Sequence, residues 1–519
     1  MKNARKRLLA VAVAIAVAGT MVSGMTACGG KKSGKVGNTA TDIEIAYWNS
    51  GLDSAWLEAM IAAFEDEYPQ YHVKYTASAD SNSVQASYGL EEADTVDLYL
   101  GIRNYDTRYM EPLNDVLEAT AKGDSKAIKE KFMENYLKLE KSADGNYYGL
   151  TYGGGVLSVA YNISIFQEAG ITQLPRTTDE LAVVCDKLYR KGYTPFAHFV
   201  GGGYWDFISE AWFAQADGMD YYLDNFYACI DEKGESPSKE ALANKDGRYK
   251  VLKTYEKFIT PEYTMDGSNT TDHVLAQTKF LNGDAAMMIN GSWLINEMKS
   301  AGKTDGFAMM KLPVISAITD RTETIKSDAV LRLVISAIDD VTDGTKDISE
   351  FKKGDGYEVD GNQISAEDWE IVRQARGIIS ANYSGESAYI PSYSTAKEGA
   401  KEFLKFLYSD KGYKIYTETL HIALPMNFCD GDVDTSEWTD YETIQYQILM
   451  QAESIASEYI ASKHRIFTDG GASSFAGIYY IEKMCSKNTG DRKTADDVWA
   501  EIEDSIEKNY ELNWLPNVK

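Results

Sequence analysis

The period of the apolar positions changes along the chain, and each change marks an element. Ile43-Glu44-Ile45-Ala46-Tyr47-Trp48 alternates and predicts a strand. Ser54 can cap a helix whose apolar face is Leu57, Met60, Ile61 and Phe64 and which stops before Pro69. His72 to Thr76 is a second strand, and this strand–helix–strand opening predicts a parallel sheet. Thr95 to Leu100 is a third strand, followed by a polar loop, Gly101 to Asp106, that carries Arg103. Val156 to Asn162 is a fourth, reached through Gly153-Gly154-Gly155, where the missing side chains permit unusual backbone angles and close approach. Thr177 to Glu180 forms a capping box for a helix running to about Arg190. Tyr193 to Val200 is strand-like and leads into Gly201-Gly202-Gly203-Tyr204-Trp205-Asp206. Trp205, in that glycine-rich loop, is expected to be exposed, and Trp212, in the helical pattern after it, to be core.

Lys279 to Trp293 has the clearest grammar in the chain. A helix ends at Asn282-Gly283, Ala285 to Ile289 is an apolar run of strand length, Asn290-Gly291 turns, and Ser292 is a suitable N-cap. Trp293 is thereby placed just past the C-terminal end of a strand, where open α/β sheets bind ligands. Trp48 and Arg103 occupy the same kind of position. Phe307 to Pro313 reads as a short strand, and Leu331 to Ile338 as a buried strand or helix. Asp339 to Asp368 is acidic, Gly-rich and without apolar period, which predicts a surface insertion. A second capping box, Thr395 to Glu398, opens a helix with Ala400, Phe403, Leu404 and Leu407 on one face, broken at Ser409 to Gly412. From Asp430 onward the pattern is mostly helical, with a loop at Thr468 to Ser474.

The N-terminus has its own logic. Lys2, Arg5, Lys6 and Arg7 precede an apolar stretch, Leu8 to Ala18, too short for a membrane span. Met25-Thr26-Ala27-Cys28 resembles a bacterial lipobox, so residues 1–27 are expected to be a lipoprotein signal peptide, with Cys28 the lipid attachment site and 28–41 a flexible tether. A formal net charge of −27 argues against a nucleic-acid partner, whose phosphates would be repelled. The other cysteines make no CxxC or zinc spacing, and Cys185 falls on an apolar helix face. HExxH, GxSxG, GxGxxG and GxxxxGK[ST] are all missing from the sequence. Asp430, Asp432 and Asp434 imitate the start of a calcium loop, but Thr435 stands at its glycine position and Tyr441 at its twelfth. No metal or cofactor is expected. Spacing among 79 carboxylates neither supplies nor excludes an acid/base pair for glycoside hydrolysis.

Taken together, several segments resemble the extracellular solute-binding proteins of ABC importers, family 1, the group that includes maltose-binding protein. Tyr47-Trp48 with Phe64-Glu65-Asp66-Glu67-Tyr68-Pro69 is similar to the family's first strand and helix. Asp144-Gly145 through Tyr148-Gly149-Leu150, Tyr161-Asn162 and Phe166 to Gly170 resemble its "DGKxYGLP…YYNKDLFEEAG" run. Phe280 to Trp293 resembles "FxxGKAAMxIxGxW", and Ala400 to Pro425 resembles "AxxFLKFLxS…GxxP". Leu150-Thr151 replaces the family's "LP", and Val314 to Tyr389 is much longer than the usual link.

The resemblance implies an α/β, two-lobed periplasmic-binding-protein-like fold (type II), each lobe a mixed sheet flanked by helices, joined by three hinge crossovers. The expected lobes are 42–152 plus 311–409 and 153–310 plus 410–519, with crossovers near Thr151–Gly155, Met309–Pro313 and Ser409–Gly412. It implies capture of a carbohydrate, most simply an oligosaccharide, in the cleft, and delivery to ABC permease subunits by a lipid-anchored monomer on the extracellular face of the cytoplasmic membrane. Tyr161 and Trp293 match the family's sugar-stacking positions. Trp48, Arg103, Tyr152 and Trp205 join them by their places at strand ends. The alternatives are a secreted glycoside-acting enzyme, a receptor for peptides or polyamines, and a partner of a sensor kinase. An aromatic box rimmed by acids would favour a cationic ligand, and Arg103 at the rim would weigh against one.

Overall fold

The computed structural model describes residues 41–49, 51–199, 203–231, 233–299, 302–427, 433–461, 463–468, 483–485 and 491–518. Residues 1–27, Cys28 and the tether up to 40 lie outside these, as do Cys429, Asp430, Asp432 and positions 469–474 of the loop at Thr468 to Ser474. Among the described residues no helix is long and apolar enough to cross a membrane.

The described residues build two mixed sheets and one small antiparallel one. The strands are β1 (Asp42–Trp48), β2 (His72–Ser78), β3 (Leu98–Ile102), β4 (Leu150–Thr151), β5 (Val156–Asn162), β6 (Phe196–Ala197), β7 (Met287–Gly291), β8 (Phe307–Met310), β9 (Lys352–Lys353), β10 (Gly356–Val359), β11 (Asn362–Ile364), β12 (Ile378–Ala381), β13 (Glu386–Tyr389) and β14 (Ser454–Ala456). The first sheet has the order β2-β1-β3-β13-β4. Alternation in β1 buries Ile43, Ile45 and Tyr47 against the helix Ala55–Glu67, which returns Trp56, Leu57, Met60 and Phe64 to the same core. Phe64 in turn meets Phe403 of the helix Lys397–Leu407 edge-on at 5.2 Å. The second sheet has the order β14-β12-β5-β7-β6, with β8 also on β5.

One edge of β5 is shared by two strands. Val156 and Leu157 pair with β12, while Val159 to Asn162 pair with β8. The chain therefore stays with the second sheet from β8 through β12 and reaches the first only at β13. This corrects the expected boundaries: residues 311–381 belong to the second sheet's side, and the crossover expected at Met309–Pro313 lies at Asn382–Gly385. A contiguous lobe could not be read there because the long segment after β8 returns to the same strand it left.

Ser409–Gly412 is likewise no crossover. Ser409 caps the helix Asp410–Leu420, which packs on Ala55–Glu67 of the first side. The chain passes to the second side between that helix and Asp440–Met450, which packs on β5 and β8. The insertion is more ordered than its composition predicts. After the helix Asp328–Thr342, β9, β10 and β11 form a small antiparallel meander, and Tyr357 stacks on Trp369 at 4.3 Å.

The crossovers Thr151–Gly155 and Asn382–Gly385 run against each other, which accounts for the three glycines. The Gly155 amide donates to Asn382 Oδ1 (2.8 Å) and the Asn382 amide to the Gly155 carbonyl (3.1 Å). Gly154 has φ +93°, and a Cβ there would lie 2.9 Å from the Tyr383 Cα. Ser292 does not cap the next helix, whose N-cap is Trp293. Its hydroxyl accepts from the Val156 amide (3.1 Å) and donates to Gln445 Oε1 (2.8 Å), fastening β7 to the start of β5.

Candidate functional site

The pairings give β1, β2, β3 and β4 one direction and β6, β7, β12 and β14 another. The carboxyl ends of the two sets meet. Gly51, after β1, lies so close to Trp293, after β7, that a Cβ would sit 3.2 Å from the Trp293 Cβ. The Arg103 amide, after β3, donates to the Gly385 carbonyl, after β12 (2.8 Å). This is the crevice in which α/β sheets hold ligands, because loops at strand ends converge there and carry the variable chemistry.

Trp293 is at this crevice. It is 7% exposed, and its ring folds back over Gly291, where any Cβ would collide with it. It meets the half-buried Tyr204 edge-on at 5.7 Å. The rings continue from Tyr204 to Phe207 (5.8 Å) and from Phe207 to Tyr459 (6.0 Å). Tyr204 is held at φ +63°, an unusual region for an aromatic residue and one that clusters at functional sites. Trp48 is half-buried at the end of β1, and its indole donates to the Ala79 carbonyl (3.2 Å).

The other expected site residues are engaged elsewhere. Trp205 is 1% exposed, because the helix Trp205–Asp217 starts on it and turns it into a core of Phe196, Trp212, Tyr255 and Phe258; Trp212 is core as expected. Tyr152 is fully buried between Tyr47 and Trp56, with its hydroxyl on the Trp48 carbonyl (2.9 Å). Tyr161 lies at the far end of β5, opposite Met287, while Leu157 is opposite Gly291. Four register steps, about 13 Å, separate it from the crevice edge, and it packs on Phe166 instead. Arg103 forms a buried ion pair with Glu140, and its Nε donates to the Ser384 carbonyl. It braces a crossover.

Four carboxyl groups stand on the elements that meet at the crevice. Asp206 is on the first turn of Trp205–Asp217, Glu297 on the short helix Leu294–Met298, Glu386 at the start of β13 and Glu458 just after β14. Burial pushes Asp206 up to about 8, and Glu458 adds to the rise. Burial pushes Glu386 to about 8 too, with Glu297 contributing. Glu297 and Glu458 are themselves raised by burial. Tyr204 lies within electrostatic reach of Glu297, Asp206 and Glu386 at once.

Sequence reasoning missed Tyr204, Phe207, Tyr459 and all four acids. The cluster around Gly203 was visible, but the choice between adjacent Tyr204 and Trp205 depends on which residue opens the helix. Tyr459 follows a three-residue strand inside a stretch that reads as helical. Among the described residues no cluster of His, Cys, Asp and Glu could hold a metal ion.

Two α/β domains whose strand ends close on one aromatic crevice define a two-domain binding protein. A family model described as bacterial extracellular solute-binding protein matches residues 48–414, and the chain belongs to that family. It is 24% identical over 289 residues to an uncharacterized ABC transporter extracellular-binding protein of Pyrococcus horikoshii, covering 53% of this chain and 60% of that one. It is 29% identical over 175 residues to the maltotriose-binding protein of Pyrococcus abyssi, 33% of this chain and 32% of that one. A multiple sugar-binding protein of Streptococcus mutans is 24% identical over 265 residues, 50% and 59% of the two chains. The chain thus spans less than two thirds of the length of each of these relatives. Among solved structures, a chitin oligosaccharide binding protein matches with a TM-score of 0.56 at 18% identity, covering 91% of this chain and 98% of that one. A mannotriose-bound ABC transporter binding protein of Bifidobacterium animalis matches with a TM-score of 0.54 at 19% identity, covering 92% and 98%. These structural likenesses establish the two-domain fold.

Proposed function

We propose that the chain captures a carbohydrate, an oligosaccharide, in the crevice, closes over it and delivers it to the permease subunits of an ABC importer. The observation that carries this reading is the continuous row of rings, Trp293, Tyr204, Phe207 and Tyr459, at the meeting strand ends. A sugar's CH face is apolar and its rim is polar, so rings flanked by hydrogen-bonding groups match it. The names of the curated relatives, which bind maltotriose and multiple sugars, support the same class. Lipid modification of Cys28 tethers the protein, as a monomer, to the extracellular face of the cytoplasmic membrane. Closure is a population shift toward the liganded state, and no bond is made or broken.

The test is a thermal-shift screen against a glycan panel, since a ligand held by the folded form alone adds about 2.7 kcal/mol at one hundred times its Kd. A hit that Trp293→Ala abolishes while the protein stays folded supports the reading. Two raised carboxyls in one crevice, Asp206 and Glu386, keep a glycoside-acting enzyme as the second reading, because a raised carboxyl can serve as general acid. Chromatography of the incubated glycans separates the two: shortened products establish the enzyme, and a glycan that shifts the midpoint yet is recovered unchanged supports the receptor.

A further inference from the structure

We infer that the crevice recognises its saccharide through a protonated amine, seated against the Tyr204 and Trp293 rings and among the carboxyl groups of Asp206, Glu297 and Glu386. This rests on reading the crevice as a saccharide site and adds the chemical class of the sugar.

The first ground is an imbalance of charge. Asp206, Glu297, Glu386 and Glu458 gather at one crevice, yet among the described residues none forms an ion pair with a lysine or arginine. One lysine and one imidazole lie within electrostatic reach. His273 is near Glu297, and Lys463 is near Glu458, with its ammonium on the Glu458 carbonyl (3.3 Å). Neither reaches Asp206 or Glu386 as a partner. The undescribed residues between 42 and 518 contribute a single further cation, Lys487. Gln277 Nε2 donates to Glu297 (2.7 Å) and the Gly154 amide to Glu386, but neither donor carries a charge, and burying a carboxylate without a charged partner is costly.

The second ground is independent of that count. Glu386 is 6% exposed, and its Oε2 has no hydrogen-bond partner. The carboxyl lies beside Gly153, so close that a Cβ there would fall 2.2 Å from Oε2, and it is within electrostatic reach of Glu297. Glycine at this crossover lets the carboxyl pack in beside Leu52, near the buried Tyr47, Tyr152 and Tyr416, and this oxygen is left without a hydrogen bond from the protein. An ammonium donating to it would supply the missing partner.

The third ground is the removal of the opposing charge. Arg103 would repel a cation if it stood at the rim, but it is neutralised by Glu140 and turned into the crossover. The rings then act in the same direction as the acids, since an ammonium is attracted to the negative face of an aromatic ring. A neutral sugar could use the acids in protonated form through its hydroxyls, and the experiment separates that case.

The experiment is titration calorimetry with a glucosamine trisaccharide, its N-acetylated counterpart and spermidine, on wild type and Glu386→Gln. At pH 6 the ligand amines are charged and Glu386 and Asp206 hold their protons, so seating a cation ionises them and releases protons to the buffer. The expected result is binding of the amine form at least about tenfold tighter than the N-acetylated form, as a desolvated charge pair and cation–π contact require. Proton release should accompany the amine form alone, measured as a dependence of the heat on buffer ionisation. In Glu386→Gln the discrimination should fall below about threefold. Should Glu386→Gln fail to fold, Asp206→Asn and the wild-type proton release decide the matter. Equal or tighter binding of the N-acetylated form, without proton release, overturns the cation and leaves the saccharide reading standing. Spermidine bound with no saccharide bound upholds the cation and overturns the saccharide. No binding of any of the three by folded protein overturns both.

Discussion

Arg103 and Glu140 offer a sharp test of how this fold is held, because they are a buried pair at a crossover. Their side chains are 6% and 0% exposed, and Arg103 also holds the Ser384 carbonyl. Burial pushes the Glu140 carboxyl up despite the adjacent guanidinium. For the carboxyl, burial outweighs the attraction, whereas Glu140 holds the Arg103 guanidinium more firmly charged despite burial; attraction and desolvation largely offset each other, as buried pairs ordinarily do. Breaking it is a different matter, because either partner alone is a charge in an apolar site. Glu140→Gln and Arg103→Met should each lose about 3–5 kcal/mol. At this chain size that lowers the melting midpoint by about 6–10 °C, taking about 2 °C per kcal/mol. Removing both charges together, as Arg103→Met with Glu140→Leu, should restore all but about 1 kcal/mol, since similar volumes replace the pair without leaving a charge behind. Scanning calorimetry on the four proteins reads these values, and the ligand's midpoint shift is recorded on the same samples. A Glu140→Gln protein that melts with wild type would refute the burial argument. A double variant that folds like wild type but has lost its sugar would return Arg103 to the binding surface.

Three other outcomes follow from the same geometry. The ligand-free protein should grow less stable as pH rises. Glu386 is raised from 4.5 to about 8 by burial, so between those values the unfolded chain releases a proton the folded one keeps; stability is full below about 4.5 and is lost up to about 8, by at most about 5 kcal/mol. Chemical denaturation at pH 5 and pH 8 measures the loss, which should shrink in Glu386→Gln; a flat profile would contradict the burial of that carboxyl. Gly154→Ala should cost more than about 2 kcal/mol, since φ +93° is strained for alanine and the added Cβ meets the Tyr383 backbone at 2.9 Å; a melt unchanged from wild type would mean the crossovers are not in contact. Trp205→Ala should destabilise by about 3–5 kcal/mol yet leave the affinity of the folded protein intact, whereas Tyr204→Ala should keep the fold and weaken the ligand; the reverse pattern would exchange their roles.

How far the sequence could be read depended on whether a residue's place is decided locally. In the Asn282-to-Trp293 stretch the helix ends at Asn282-Gly283 and the apolar run forms β7, as its local pattern predicts, but Asn290-Gly291 continues β7 in place of the expected turn, and Trp293 still follows at the crevice. Alternation in β1 is local in the same way, so its buried face could be predicted. Three outcomes depended on distant chain instead. Ser292 has the chemistry of a cap, but Val156 and Gln445 claim its hydroxyl, and neither is near it in sequence. Arg103 stands at a strand end like a ligand contact, but Glu140 and Ser384 arrive from two other segments and absorb it. Tyr161 matched a motif, yet register places it about 13 Å from the crevice, since motifs record order along the chain and not distance across a sheet. The acids were invisible for the same reason. A carboxylate becomes informative only when its neighbours are known to lack a cation, and that is a property of the assembled crevice. The family could therefore be read from short local blocks, while the charge of the ligand could be inferred only after Arg103 was seen to face away and Glu386 was seen to have an oxygen unused.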